Sequence, residues 1–103
     1  MDNRDKEDRY VGPVIKAGEF ADAVLEAALQ DNPDREVEAV EHSSYVRIRA
    51  LDECVIRLDT VEEMLGRSCT LGDIEVNMPG FSGFIRTSSN EIRFLAKIPG
   101  SSS

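Results

Sequence analysis

The side chains that could do chemistry in this 103-residue chain are one histidine, two cysteines and a group of acidic residues. The only histidine, His42, lies close in sequence to Glu36, Glu38 and Glu41. A metal site would therefore need carboxylates or cysteines beside the imidazole. No Glu-x-x-His helix pattern is present, and alternation along a strand would place these side chains on both faces. The pattern favours a solvated strand edge, and we predict no metal and no cofactor.

The two possible nucleophiles also lack a catalytic pattern. Cys54 lies in an apolar strand-like run and Cys69 lies in a loop, with a spacing that matches no zinc or redox motif. Either thiol could meet His42 in the fold, so a small cysteine enzyme is one hypothesis. The glycines of Gly80–Gly83 do not form a phosphate loop, because a strand pattern follows them where a helix would be needed. We predict a non-catalytic chain.

The charge balance limits the class of partner. The formal net charge is -8, so the chain repels phosphate, and we expect no binding to nucleic acid or to anionic membranes. The acidity is compatible with a basic protein partner, or with solubility alone. No apolar run reaches the ~18 residues of a membrane-spanning helix. Residues 1–9 are charged and lack the apolar centre of a signal peptide, which predicts a cytoplasmic protein.

Local patterns predict the elements that would position these groups. Val14 and Ile15 indicate a short strand with Pro13 near its start or on an edge. The next segment is a helix with an alanine-rich inner face, and Asn32-Pro33 stops it. Ser44–Ala50 alternates cleanly, and Cys54–Leu58 would be the second arm of a hairpin with it.

The second half begins with two helix-start signals. Thr60–Glu63 resembles a capping box that opens a helix ending at Gly66, and Thr70–Asp73 is a weaker version of the same signal. Phe84–Thr87 and Ile92–Ile98 form the last predicted hairpin. The predicted order is β-α-β-β-β-α-(α)-β-β, a small single α+β domain over residues 10–98 with a mostly antiparallel sheet and two or three helices. Residues 1–9 and 99–103 are predicted to be a disordered and a flexible tail.

One irregular apolar segment, Ile74–Ile85, is the candidate functional region. We expect it to enter as a helix or extended piece, turn at Pro79-Gly80 and leave as a strand. Gly83 indicates a bulge or a close backbone approach. Phe81 and Phe84 are predicted core residues, because aromatic side chains dominate core burial. The alternative is that this segment is a surface that contacts a partner.

Seven short motifs occur in an order that resembles a known family. They are Val11–Gly18, Asp31-Asn32-Pro33, Tyr45–Ile48, Leu65-Gly66-Arg67, Glu75–Met78, Phe81-Ser82-Gly83 and Ile92-Arg93-Phe94. Together they resemble the effector proteins, also called regulatory or coupling proteins, of bacterial multicomponent diiron monooxygenases. The toluene/aromatic branch is the most similar.

The resemblance implies a cofactor-free α+β protein, a monomer when free, that binds the diiron hydroxylase of the same system. It would tune oxygen activation, substrate access, coupling and regiospecificity of aromatic hydroxylation. The other hypothesis, besides the cysteine enzyme, is an acidic module that docks on an unrelated enzyme or carries a small ligand.

Docking residues are expected mainly in the irregular segment. The candidates are Asn77, Phe81, Ser82 and Gly83, followed by Tyr45 and the Asn32-Pro33 corner. Asn77 could instead cap its own loop backbone, and Tyr45 could be an ordinary half-exposed strand tyrosine. The Pro79-Gly80 pair departs from the small residues typical of the aromatic branch.

Overall fold

The computed structural model describes residues 9–97, in which seven strands and three helices occur. The strands are β1 Tyr10–Lys16, β2 Val37–Glu41, β3 Tyr45–Leu51, β4 Glu53–Arg57, β5 Gly80–Ser82, β6 Phe84–Thr87 and β7 Glu91–Leu95. The helices are α1 Glu19–Asp31, α2 Leu58–Leu65 and α3 Leu71–Val76. The predicted α+β class and element order are confirmed. The predicted tails lie outside the described residues, except Arg9, which pairs with Asp52.

The strands form two antiparallel sheets. Sheet A has the order β2-β3-β1-β5, and sheet B has the order β4-β7-β6. The predicted hairpin between β3 and β4 is wrong, because β3 pairs with β1 and β2 whereas β4 pairs with β7. Asp52, the single residue between them, has a left-handed φ of 69° and turns the chain from one sheet to the other. The last hairpin, β6 with β7, is confirmed.

The strand predicted at Val14 and Ile15 is confirmed as part of β1. Because β1 lies inside sheet A and Pro13 is its fourth residue, the placement of Pro13 near the start of the strand or on an edge is wrong. The amide of Ala17 bonds to Ser44 on the β3 side, and the amide of Lys16 bonds to Asn77 on the other side. By alternation the missing N–H of Pro13 falls on the β3 side. The pairing between β1 and β3 is interrupted there.

Helix α1 packs its alanine-rich face into the core, as the pattern predicts. Ala21, Val24, Ala27 and Ala28 are buried, whereas Leu29 is exposed. The small side chains let α1 approach α2 and β4 closely. The core continues between the sheets through the buried side chains of Val11, Ile15, Ile48, Ile56, Ile92 and Phe94.

The start of α2 corrects another prediction. The helix begins at Leu58, and Thr60 lies inside it, so Thr60–Glu63 is not a capping box. The Thr60 hydroxyl instead donates to Asp31 Oδ1 at 2.9 Å. The other oxygen of Asp31 accepts the Arg57 amide at 2.8 Å. The carboxylate that anchors the start of this helix therefore comes from the end of α1, which no local pattern could indicate.

The weaker start signal is the genuine capping box. The amide of Asp73 donates to Thr70 Oγ1 at 3.1 Å, and the Thr70 amide donates to Asp73 Oδ2 at 2.9 Å. Helix α3 follows and ends at Val76. The left-handed cap at Gly66, with φ 75°, is also confirmed. Within residues 9–97, no helix is long and apolar enough to cross a bilayer.

Candidate functional site

The segment from α3 to β6 runs along one border of both sheets. Strand β5 is the last strand of sheet A, and β6 is the last strand of sheet B. We call the border formed by Gly80–Ser82 and Phe84–Thr87 the open edge. The predicted turn at Pro79-Gly80 is wrong in place, because Gly80 already belongs to β5 and the chain turns at Asn77. The bond from Lys16 N to Asn77 O, 2.8 Å, fixes that turn to β1.

Gly83 carries the chain from sheet A to sheet B along the open edge. Its φ of 95° lies in the left-handed region that favours glycine. A Cβ at this position would lie 2.6 Å from Val11 Cγ1 and 2.7 Å from the carbonyl oxygen of Leu95. The close backbone approach predicted for Gly83 is therefore confirmed, and it locks the two halves of the edge together.

Three of the five large apolar side chains that are exposed in the described residues belong to the segment from α3 to β6. Val76 is 78% exposed, Phe81 43% and Phe84 49%. The prediction that both phenylalanines are core residues is therefore wrong. Phe81 still contacts the core, because its ring lies 5.8 Å from the ring of Phe94 in the other sheet. Phe81 thus closes the gap between the sheets and presents its outer part to solvent.

Asn77 and Tyr45 lie on opposite sides of Lys16. The Asn77 amide donates to the carbonyl of Asp73 at 2.8 Å, so its side chain closes the end of α3. Tyr45 pairs with Lys16 across sheet A, and its ring stacks on His42 with 4.3 Å between centroids. Asn77 therefore shares the border with Phe81, Ser82 and Gly83, whereas Tyr45 lies on the far side of β1.

The Asn32-Pro33 corner lies elsewhere. Asn32 is only 2% exposed, and its Nδ2 donates to the carbonyls of Ala28 at 2.7 Å and Val55 at 2.8 Å. Its Oδ1 accepts the Val55 amide at 2.9 Å. This side chain is buried and fully engaged, so the expectation that Asn32 contacts a partner is wrong. Pro33 is exposed, but it follows the end of α1. The start of that helix, next to Lys16 and Asn77, is roughly 20 Å away.

The possible nucleophiles are not activated. Burial raises the pKa of Cys54 to about 12. Burial also raises the pKa of Cys69, with Glu62 and Asp73 adding to the effect. Both thiols therefore stay protonated near neutral pH, which disfavours the hypothesis of a cysteine enzyme. Among residues 9–97, no three His, Cys, Asp or Glu side chains lie close enough to hold a metal ion.

The outer face of sheet B carries an unusual arrangement of charge. Arg86 of β6 lies directly opposite Arg93 of β7. Arg93 donates to Glu53 at 2.7 Å and to Glu91 at 2.9 Å, and these hydrogen bonds raise its pKa. Arg86 forms no ion pair with a carboxylate of the described chain.

Phe84 and Arg86 were both missing from the docking residues expected from the sequence. Phe84 and Arg86 flank Ile85, which packs against the core, so the alternation of a strand places both side chains on the outer face.

Comparisons with known proteins identify the family. The MmoB/DmpM family model matches residues 9–95. The chain belongs to the MmoB/DmpM family. It is 42% identical over 93 residues to the effector subunit of the alkene monooxygenase system of Xanthobacter autotrophicus, covering 90% of this chain and 92% of that protein.

Solved structures of this fold include two regulatory proteins. The regulatory protein in a phenol hydroxylase–regulatory protein complex aligns with a TM-score of 0.70 and 26% identity, over 84% of this chain and 97% of that chain. The regulatory protein B of soluble methane monooxygenase aligns with a TM-score of 0.66 and 22% identity, over 89% of this chain and 68% of that one, and shows the fold alone. As an MmoB/DmpM protein, the chain is a regulatory effector of a multicomponent monooxygenase and not its catalytic component.

Proposed function

We propose that the chain docks through the open edge onto the diiron hydroxylase of its own monooxygenase system. The observation that carries the proposal is that Val76, Phe81 and Phe84 are exposed apolar side chains of one segment, which runs from α3 to β6 along the border of both sheets. Solvent-exposed aromatic side chains of this size are typical anchors of protein interfaces. The regulatory protein that is similar to this chain is seen in a complex with phenol hydroxylase, which supports docking of this chain onto a hydroxylase.

The docking face includes Asn77, Phe81, Ser82 and Gly83, to which Val76 and Phe84 are added. Tyr45 borders this face beyond Lys16, and Pro33 is an outlying candidate. The close packing around Gly83 keeps the face in one shape before binding, which lowers the entropy lost on association. The residues that close α3, Asn77 with Asp73, support the same pre-organisation.

Regulation follows from binding one hydroxylase conformation more tightly than another. The effector then shifts the population towards the conformation that it prefers. A tenfold change in rate or selectivity requires about 1.4 kcal/mol of differential binding. Through this shift the effector tunes oxygen activation, substrate access, coupling and the regiospecificity of aromatic hydroxylation. The chain itself contributes no reacting group.

A cytoplasmic location and a monomeric free state belong to the same proposal. Cys54 and Cys69 are both unpaired thiols, which suits a reducing compartment.

The test is turnover by the reconstituted hydroxylase and its electron donors with and without the effector. At saturating effector we expect a change in rate, in product formed per NADH consumed, or in product distribution. Unchanged values for all three, together with no measurable binding, would refute the proposed function. The Val40→Ala variant, which removes an exposed apolar side chain on β2, serves as the control and should behave like the wild type.

A further inference from the structure

The backbone of β6 presents unpaired hydrogen-bonding groups along the open edge. The amide of Ser88 donates to the carbonyl of Glu91 at 3.0 Å and closes the hairpin with β7. Because residues of an antiparallel strand bond alternately to either side, Arg86 and Phe84 bond towards β7. The N–H and C=O groups of Ile85 and Thr87 therefore point away from sheet B. In the described chain, no strand lies beyond β6 to receive them.

Strand β5 extends this row. The bond from Lys16 N to Asn77 O shows that the even-numbered residues of β1 face β5. Gly12 and Val14 of β1 therefore face Ser82 and Gly80, and the backbone groups of these two β5 residues point towards β1. The backbone of Phe81 consequently points outwards, in the direction opposite to β1.

We propose that the hydroxylase adds an extended segment to sheet B along β6, and that this segment carries a carboxylate that pairs with Arg86. The inference rests on the proposed function and specifies how docking occurs. Main-chain hydrogen bonds to Ile85 and Thr87 hold the segment, and contacts with Phe84 and Arg86 select it. This is strand addition to a free sheet edge, in which backbone bonds give affinity and side chains give specificity.

Two facing arginines indicate that the partner segment carries a carboxylate. Like charges directly opposite each other in a sheet are destabilising. Arg93 is neutralised by Glu53 and Glu91, which leaves Arg86 without a carboxylate of the described chain. A cleft of about 390 Å³ beside Arg86 gives a partner side chain room, and the two carboxylates that also line it, Glu53 and Glu91, are already engaged by Arg93.

A second copy of the chain fits this edge poorly. Antiparallel pairing of two β6 strands of four residues places both Arg86 side chains on the same face, close to each other. A partner segment with a carboxylate is instead attracted to Arg86. Arg86, the single charged residue of β5 and β6, is opposite in sign to the net charge of the whole chain, which is -8.

The test compares proline and valine at Thr87. Thr87→Pro removes the outward N–H, a change that an edge strand tolerates, whereas Thr87→Val keeps the N–H and replaces the hydroxyl by a methyl group. We expect Thr87→Pro to weaken hydroxylase binding about tenfold or more, and Thr87→Val to bind like the wild type. Ala39→Pro is the matched control. Ala39 lies in β2, at the other edge of sheet A. The bond from His42 N to Tyr45 O shows that the even-numbered residues of β2 bond to β3, so the N–H of Ala39 points outwards.

A second pair of variants tests the carboxylate and does not depend on proline being tolerated. Arg86→Glu should weaken binding about tenfold, and Arg57→Glu, an equal change of charge on the exposed end of β4, should not. If Arg86→Glu binds like the wild type, or if both changes weaken binding equally, the proposed carboxylate contact is refuted. If folded Thr87→Pro binds normally, strand addition is refuted while the proposed function stands. A wild-type chain that binds only to itself would refute both.

Discussion

The two borders of sheet B end in opposite ways. On the β4 side, the Asn32 amide bonds to both backbone groups of Val55, at 2.8 and 2.9 Å, and Asp31 accepts the Arg57 amide at 2.8 Å. The end of α1 thus replaces a missing strand. On the β6 side, no described side chain bonds to the outward backbone groups of Ile85 and Thr87.

The difference shows that this chain can close a sheet edge and does so on only one border. Free edges are a liability because they pair with other chains, and proteins commonly cover or charge them. An edge that stays free and has the exposed side chains of Phe81 and Phe84 beside it supports our proposal that a partner binds there. The same comparison explains why Asn32, expected at the docking face, supports the fold instead.

The largest expected effect follows from filling the space at Gly83. Gly83→Ala combines an unfavourable φ with overlap against Val11 and the Leu95 carbonyl, and should cost about 3–4 kcal/mol of unfolding free energy. Urea denaturation measures it. Gly80→Ala is the control, because a Cβ there meets nothing within 4 Å, and it should be nearly neutral. Equal stability of the two variants would contradict the close packing at Gly83.

Removing the cover of the β4 edge comes next. Asn32→Ala leaves the backbone groups of Val55 without their partner and should lower the unfolding free energy by about 2–3 kcal/mol. Chemical denaturation measures the loss, with the exposed Asp34→Ala as control. The folded variant should still stimulate the hydroxylase fully at saturation. A loss of stimulation with unchanged stability would return Asn32 to the docking face.

A substitution at the open edge should change the affinity for the hydroxylase and leave the unfolding free energy nearly unchanged. Phe84→Ala should weaken hydroxylase binding about tenfold, because an exposed aromatic anchor is lost. The unfolding free energy should change little, since half of this side chain is already in water. Titration calorimetry compares it with Leu29→Ala, an exposed apolar side chain on α1. Similar losses in both variants would mean that the docking face is not confined to the open edge.

The smallest effect concerns the Arg9–Asp52 pair, which joins the start of β1 to the crossing between the sheets. Two hydrogen bonds of 2.7 Å lower the pKa of Asp52. A carboxyl with a lowered folded pKa stabilises the fold above its unfolded pKa, near 4, and loses this contribution as the pH falls through the folded value.

Asp52→Asn keeps a residue type that tolerates the left-handed φ of 69° and removes the titration. Stability between pH 2 and 5 should therefore vary less in this variant than in the wild type, as thermal unfolding would show. The same pH dependence in both would exclude Asp52 as its source. Asp34→Asn, at an exposed position, is the control for loss of a negative charge.

Alternation and capping signals predicted most elements of the fold but not their partners. The β3 pattern and the Thr70 capping box are local, and both are confirmed. The sheet switch at Asp52 and the anchoring of α2 by Asp31 depend on contacts between residues far apart in sequence, which periodicity does not contain. For the site, Gly83 carried a local signal, whereas the exposure of Phe81 and Phe84 depends on β5 and β6 having no outer neighbour. Arg86 becomes conspicuous only when the register places it opposite Arg93.

The most direct test of the central claim is amide hydrogen exchange of the chain, free and bound to its hydroxylase. Binding should slow the exchange of the outward amides of Phe81, Ile85 and Thr87. The outward amides of β2, at Ala39 and Glu41, should exchange at the same rate in both states. Protection confined to β2 or α1, with unchanged exchange at Phe81, Ile85 and Thr87, would contradict the assignment of the open edge as the docking surface.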